Sequence, residues 1–385
     1  VSLALYLTGF LAFVGIYLPQ PILPLLAEQF GVKAASSSLL ISLTVLGLGL
    51  ASPVIGVLTE RLGYRRTLVA SSAALSLILL GCALGRSFEL LLALRLLQGI
   101  MLPGLFVSAL ALTAEQLGNV AMTRAAGRYV AATVIGGLAG RLVGGVLAEF
   151  ASWRYAFALA SLCCAALVVI WLRAPANRAP AAPATLVQAL RGSLAHLKNR
   201  AVLSGVSIGF CLFFAFQATL NYLPFKLRGP PFSLSPSLIS LTYLAFVAGI
   251  ISASLAGRLR ARYPLALSLA AGFAIAIAGN LLTLSSSLAL IAAGLLLVCF
   301  GNWLVQGLTV GLIATAAERE RASANALYLF FYYLGGALGG YLPGLALPTW
   351  GYPAAVGVSV AALGFGILST WRGLGGHRAM AAYDA

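Results

Sequence analysis
Apolar runs of about eighteen residues or more follow one another along this chain almost from end to end. At a rise of 1.5 Å per helical residue, each run can cross a hydrocarbon layer of about 30 Å. Twelve spans are expected, at roughly 2–27, 36–58, 66–85, 88–114, 122–148, 152–173, 201–225, 235–257, 264–284, 287–314, 321–345 and 352–372. The runs are too long for barrel strands and lack two-residue alternation, so helices are expected. With 61% of its 385 residues hydrophobic, the chain leaves little material for a soluble domain. The first run has no basic leader and no small-x-small cleavage site, and it is too long for a signal peptide, so it is read as a span.

The sparse charge sorts by side. Of 24 Lys and Arg residues, Arg95 and Arg141 lie inside runs and five lie in one set of loops (Lys33, Arg86, Arg154, Lys226, Arg228). The other seventeen, Arg61, Arg65 and Arg66 among them, fall in the alternate loops and the tail. The positive-inside rule then puts both termini in the cytoplasm, and a multi-pass protein of a bacterial inner membrane is expected. A net charge of +16 is explained by these loops and calls for no nucleic-acid partner. The five cysteines lie within runs, without CxxC spacing or a nearby His, so neither a metal nor a cofactor is expected.

Residues 174–200 break the pattern. An Ala/Pro-rich stretch passes into a basic, amphipathic one carrying Arg191, His196, Lys198 and Arg200, which reads as a cytoplasmic linker. The domains expected are an N-terminal six-helix bundle (1–173), the linker (174–200), a C-terminal six-helix bundle (201–372) and a tail (373–385). The halves echo each other in order. The stretch Gly56–Gly63 resembles Gly257–Pro264, Arg95-Leu-Leu-Gln98-Gly99 resembles Trp303-Leu-Val-Gln306-Gly307, the glycines from Gly136 to Gly145 resemble those from Gly335 to Gly340, and Trp153–Tyr155 resembles Trp350–Tyr352. Duplicated halves imply a pseudo-two-fold axis along the membrane normal and a substrate site near the midplane.

On these residues the chain resembles the major facilitator superfamily over its full length. Gly56, Leu58, Glu60, Arg61, Gly63, Arg65 and Leu68 match the family's loop 2–3 signature, with Glu60 where aspartate is usual and Tyr64 where a basic residue is usual. Arg95-x-x-Gln98-Gly99 looks like the helix-4 motif. Gly136, Gly140, Gly144 and Gly145 look like the helix-5 motif of the exporter branch, with Arg141 in place of proline. Gln20-Pro21-Ile22-Leu23-Pro24 is similar to the helix-1 end of drug-efflux members, and Gly140-Arg141 with Tyr332–Gly335 is most like the arabinose-efflux-like exporters. The resemblance implies an all-α major facilitator fold, drug:proton-antiporter-like export of a small molecule by alternating access, protons as the coupling ion and a monomer. It also implies a cytoplasmic gate of Gly56, Glu60, Arg61, Gly63, Arg65, Arg66 and Glu115, with Glu60 near the N-terminus of helix 11 and Arg65 and Glu115 as partners. A bland topogenic loop is the alternative. The helix-5 glycines serve either close packing or a hinge.

The chemistry of the cargo is read from the buried charges. Arg95 and Arg141 lie roughly 10–12 Å into their helices at 1.5 Å per residue, where a guanidinium needs water or a partner. Each is a substrate-binding candidate, and for Arg95 a structural hydrogen-bond hub is equally open. No carboxylate or histidine lies in the middle of a span. Two arginines without an acid favour an anion, or an amphiphile with an anionic head. Tyr17, Gln20, Gln98, Gln217, Asn221, Asn302, Gln306 and Tyr332 are the neutral polar candidates beside them. An uncoupled facilitator, an importer or a lipid-moving member are alternatives. A membrane enzyme or sensor is remote, because no nucleophile–base pair or metal cluster is legible in the spans.

Overall fold
The computed structural model describes residues 2–116, 119–174, 186–317 and 321–374. Regular structure among them is helical. In chain order the α-helices are α1 (Ser2–Tyr17), α2 (Leu23–Phe30), α3 (Ala34–Leu62), α4 (Tyr64–Leu84), α5 (Phe88–Gln116), α6 (Asn119–Phe150), α7 (Trp153–Leu172), α8 (Leu186–Ala195), α9 (Arg200–Arg228), α10 (Pro236–Leu241), α11 (Phe246–Arg262), α12 (Leu265–Leu282), α13 (Leu288–Ala316), α14 (Arg321–Trp350) and α15 (Tyr352–Leu374). Eleven segments among the described residues are long and apolar enough to cross a membrane. The twelfth expected span corresponds to α14, a helix of 30 residues whose tyrosines and glycines dilute its apolarity. The expected linker stretch 175–185 and the tail from 375 lie outside the described residues.

Two spans are discontinuous. The first is α1, a 3₁₀ turn at Gln20–Ile22, then α2. Pro19 and Pro21 lack the amide hydrogens that would carry the α-helical ladder across this point. The eighth is α10, a 3₁₀ turn at Thr242–Ala245, then α11.

The chain divides into two compact units. Unit 1 is residues 1–32, 39–186 and 234–241; unit 2 is residues 33–38, 187–233 and 242–385. In unit 1, α6 packs on α1 and α10, and α4 packs on α5 and α7. In unit 2, α14 packs on α9, and α12 packs on α13 and α15.

Glycine makes the closest of these approaches possible. A Cβ placed on Gly136, Gly140 or Gly144 of α6 would run into the α1 backbone at Phe10, Val14 and Leu18 in turn. One on Gly335 or Gly339 of α14 would run into the α9 backbone at Phe210 and Phe214. Without side chains at these positions the backbones themselves come into van der Waals contact. The helices α1 and α6 thus meet through positions about two hundred residues before their counterparts in α9 and α14, a duplication visible as contact and not only as sequence. The core of unit 2 gathers Ile208, Leu212, Leu269, Phe273, Leu304 and Leu308.

Candidate functional site
In unit 1 the break in the first span decides where both buried arginines go. The Gly15 carbonyl would ordinarily accept from the amide four residues on, but that residue is Pro19. Arg95 Nη1 donates to it at 2.7 Å. The same guanidinium donates through Nη2 to Ile16 O, through Nε to Leu40 O at 2.6 Å, and through Nη1 to Gln98 Oε1 at 2.6 Å. In return, Thr44 Oγ1 donates to Arg95 O at 3.0 Å. Arg95 is fully buried and Gln98 nearly so. Three backbone carbonyls from α1 and α3 hold this guanidinium. Gln98 belongs to the same hydrogen-bonded cluster.

Arg141 sits differently. Gly140 presses α6 onto α1, and that approach carries Arg141 to the end of α1 where the helix breaks. Its guanidinium carbon lies 4.0 Å from the centre of the Tyr17 ring. Nε donates to Gln20 Oε1 at 2.7 Å, and Nη1 donates to Gly137 O at 2.7 Å. Arg141 is 1% exposed. The ring and the amide among these contacts are side chains of the broken segment. A face-on guanidinium over an aromatic ring is stabilised by up to about 2 kcal/mol when desolvated.

Unit 2 carries a polar set of another kind. Gln217 on α9 is fully buried, and neither amide atom has a hydrogen-bond partner among the described residues. The same holds for Asn302 Oδ1 on α13 and for the Tyr328 hydroxyl on α14. His196 Nε2 and Ser268 Oγ of the same unit are in the same position, and because buried polar atoms are nearly always paired, these five side chains call for a reason. Tyr332 stacks on Phe213 with ring centres 4.2 Å apart, and Phe216 meets Trp303 edge-on at 5.2 Å. Asn221 Nδ2 donates to Gly340 O only at the long distance of 3.5 Å, while Gln306 is half-buried.

Sequence reading passed over several buried polar contacts. Thr219 Oγ1 donates to Asn280 Oδ1 at 2.5 Å, Trp171 Nε1 donates to Thr8 Oγ1 at 3.1 Å, and Tyr243 OH donates to Leu220 O at 2.9 Å. The last repeats the Arg95 device: Leu220 lies four residues before Pro224, so its carbonyl lacks an amide partner. A proline inside a span is the available signal for such a carbonyl, although the residue that reaches it is not legible.

Comparison with known proteins decides the family. The family model described as Major Facilitator Superfamily matches residues 5–340. The chain belongs to the major facilitator superfamily. Among its relatives, the uncharacterized MFS-type transporter YybF of Bacillus subtilis (strain 168) is 31% identical over 360 residues, covering 93% of this chain and 89% of YybF. The inner membrane transport protein YnfM of Escherichia coli (strain K12) is 30% identical over 359 residues, covering 91% of this chain and 85% of YnfM. A solved bacterial homolog of the human lysosomal transporter Spinster superposes with a TM-score of 0.75 at 17% identity, over 100% of this chain and 95% of that one. The fold is therefore the major facilitator fold, and the chain is a multi-pass membrane transporter that acts on a small molecule.

The signature turn of this major facilitator protein is built around Gly63, whose φ of 88° is a conformation L side chains rarely adopt. Arg65 donates through Nε to Trp171 O at 3.2 Å and through Nη2 to Leu172 O, so it caps the last carbonyls of α7. Arg61 and Arg66 are exposed and Glu60 is half-buried. An added Cβ at Gly56 meets no described atom within 4 Å. The side chain of Glu115 lies outside the described residues. At the other end of α6, a Cβ on Gly145 would come within 2.6 Å of Pro236 O, and Glu149 Oε2 accepts from Ser237 N at 2.9 Å. Gly144 and Gly145 therefore face different neighbours, α1 and α10.

Proposed function
We propose that this chain is an exporter of a small organic solute bearing an anionic group, with Arg141 as the residue that recognises the charge. The observation carrying this reading is the setting of the Arg141 guanidinium: 1% exposed, stacked on Tyr17 and held by Gln20, in a unit where Arg95 is committed to backbone carbonyls. A buried cation favours an anionic ligand. Tyr17 and Gln20 orient it; within unit 2, Gln217, Asn302 and Tyr328 are the neutral polar candidates. Asn221, Gln306 and Tyr332 are peripheral in this reading, and Arg95 and Gln98 support the scaffold.

Export in the cytoplasm-to-outside direction, through rocking of the two halves about the signature turn, rests on the likeness to the drug:proton antiporter branch, as does proton exchange. In this reading the basic loops face the cytoplasm, both termini lie on that side, and the membrane is a bacterial inner membrane. A second reading, an uncoupled carrier, is favoured by one observation. The described carboxylates, Glu28, Glu60, Glu89 and Glu149, all sit near helix ends, where a proton relay through the membrane would not start. Everted vesicles containing the protein, offered labelled organic anions and cations, separate the possibilities. The proposal expects anions to accumulate and the accumulation to stop when the pH gradient is dissipated. Accumulation that survives dissipation supports the uncoupled carrier, and accumulation of cations alone overturns the anion assignment.

A further inference from the structure
The helix α8 and the 3₁₀ turn His196–Lys198 lead directly into α9, whose first residue is Arg200. This segment is tied to unit 2 on one side. Ser193 Oγ donates to Ser323 O at 3.2 Å, and Asn199 caps α9 through Oδ1 while its Nδ2 donates to Ala316 O at 3.1 Å. Away from those ties the segment exposes Val187, Leu194 and Leu197, at 56%, 58% and 38% of their surface. The exposed basic residues are Arg191, Lys198 and Arg200. At 100° per residue, Val187, Arg191 and Leu194 fall within one narrow stripe, and Ser193 points well away from it. Apolar and cationic side chains therefore share the outward face. Water solvates such a face poorly, because the apolar members gain nothing there. At a bilayer surface both kinds are satisfied: the apolar side chains enter the acyl boundary and the long basic ones reach up to phosphate.

We propose that α8 and the turn after it lie on the bilayer surface and bind anionic lipid headgroups through Arg191, Lys198 and Arg200, with Val187, Leu194 and Leu197 inserted beneath. Two facts choose this occupant over a protein partner or a soluble anion. The segment is separated by one 3₁₀ turn and the Asn199 cap from the start of a membrane-spanning helix, which fixes it at membrane depth. Its charge, moreover, complements an anionic leaflet, to which each basic residue near the surface adds attraction. The inference concerns lipid and does not depend on the identity of the transported solute.

The test uses the full chain in nanodiscs of phosphatidylcholine, with and without phosphatidylglycerol. A bimane label on Leu194→Cys, in a background where the five native cysteines are replaced, should emit as a buried probe and be quenched by lipid carrying a shallow nitroxide. Emission typical of water in both lipids overturns the proposal. Replacing Arg191, Lys198 and Arg200 by Gln should lower the preference for phosphatidylglycerol by about fivefold per charge removed. Inorganic phosphate at millimolar concentration should not substitute for the lipid. If it does, the residues form a phosphate site and the membrane assignment fails. Should the cysteine-free background not fold, melting of the native and triple-Gln proteins in the two nanodiscs decides: phosphatidylglycerol should raise the melting temperature of the first more than that of the second, and equal shifts overturn the proposal.

Discussion

Pro19 has no amide hydrogen, and the carbonyl it leaves at Gly15 is met by Arg95 rather than by water. Replacing Arg95 with Ala would strand the carbonyls of Leu40, Gly15 and Ile16 without that donor, at about 1–3 kcal/mol for each buried group left unpaired. R95A is therefore expected not to accumulate as folded protein, and a monodisperse R95A with the wild-type melting temperature would contradict the hub. Gln217 is the opposite case. Its amide is buried without a hydrogen-bond partner among the described residues, so Gln217→Met should raise the melting temperature of the unliganded protein, a gain of about 1–3 kcal/mol, while weakening transport. A lower melting temperature would mean that the amide holds the fold. The depth of Arg95 and Arg141 could be read from the sequence, but their different contacts could not, because depth says nothing about which carbonyls a neighbouring helix leaves open. Likewise, whether Gln217 finds a partner depends on how α9, α13 and α14 pack.

At the scale of elements, two classes of glycine separate. Gly140 faces the α1 backbone at Val14, which cannot yield as a side chain can, so G140A is expected to force α6 off α1 and cost about 1–3 kcal/mol. Gly56 has no described neighbour within 4 Å of an added Cβ, so G56A should keep or slightly raise stability, by up to about 1 kcal/mol for Gly to Ala within a helix. If Gly56 serves the gate that the family resemblance implies, G56A should nonetheless transport poorly. Melting curves and vesicle transport on both variants check this; a stable and fully active G56A would remove Gly56 from the gate. The glycine spacing on α6 was legible because few residue types permit such an approach at every fourth position. The 3₁₀ break in the first span had its signal in Pro19 and Pro21, whereas the one at Thr242–Ala245 in the eighth contains no proline or glycine to announce it.

For the whole molecule, bilayer thickness made the architecture legible: it fixes the length of a span, and twelve runs of that length leave few folds to consider. The duplication was legible in fragments such as Gly136/Gly335 and Gly140/Gly339, and its physical basis is that both pairs press on the backbone of the helix that opens their half. The cargo is the part least written in the chain, resting on a single cation and its neighbours. Its most direct test is a thermal-shift screen of purified wild type and R141A against matched anionic, cationic and neutral solutes. An anion present at about a hundred times its Kd should stabilise the wild type by about 2.7 kcal/mol. The account predicts that at least one anion does so, and that R141A melts as the wild type does without ligand yet shows no shift with that anion. An undiminished anion shift in R141A, or shifts confined to cations, would contradict it.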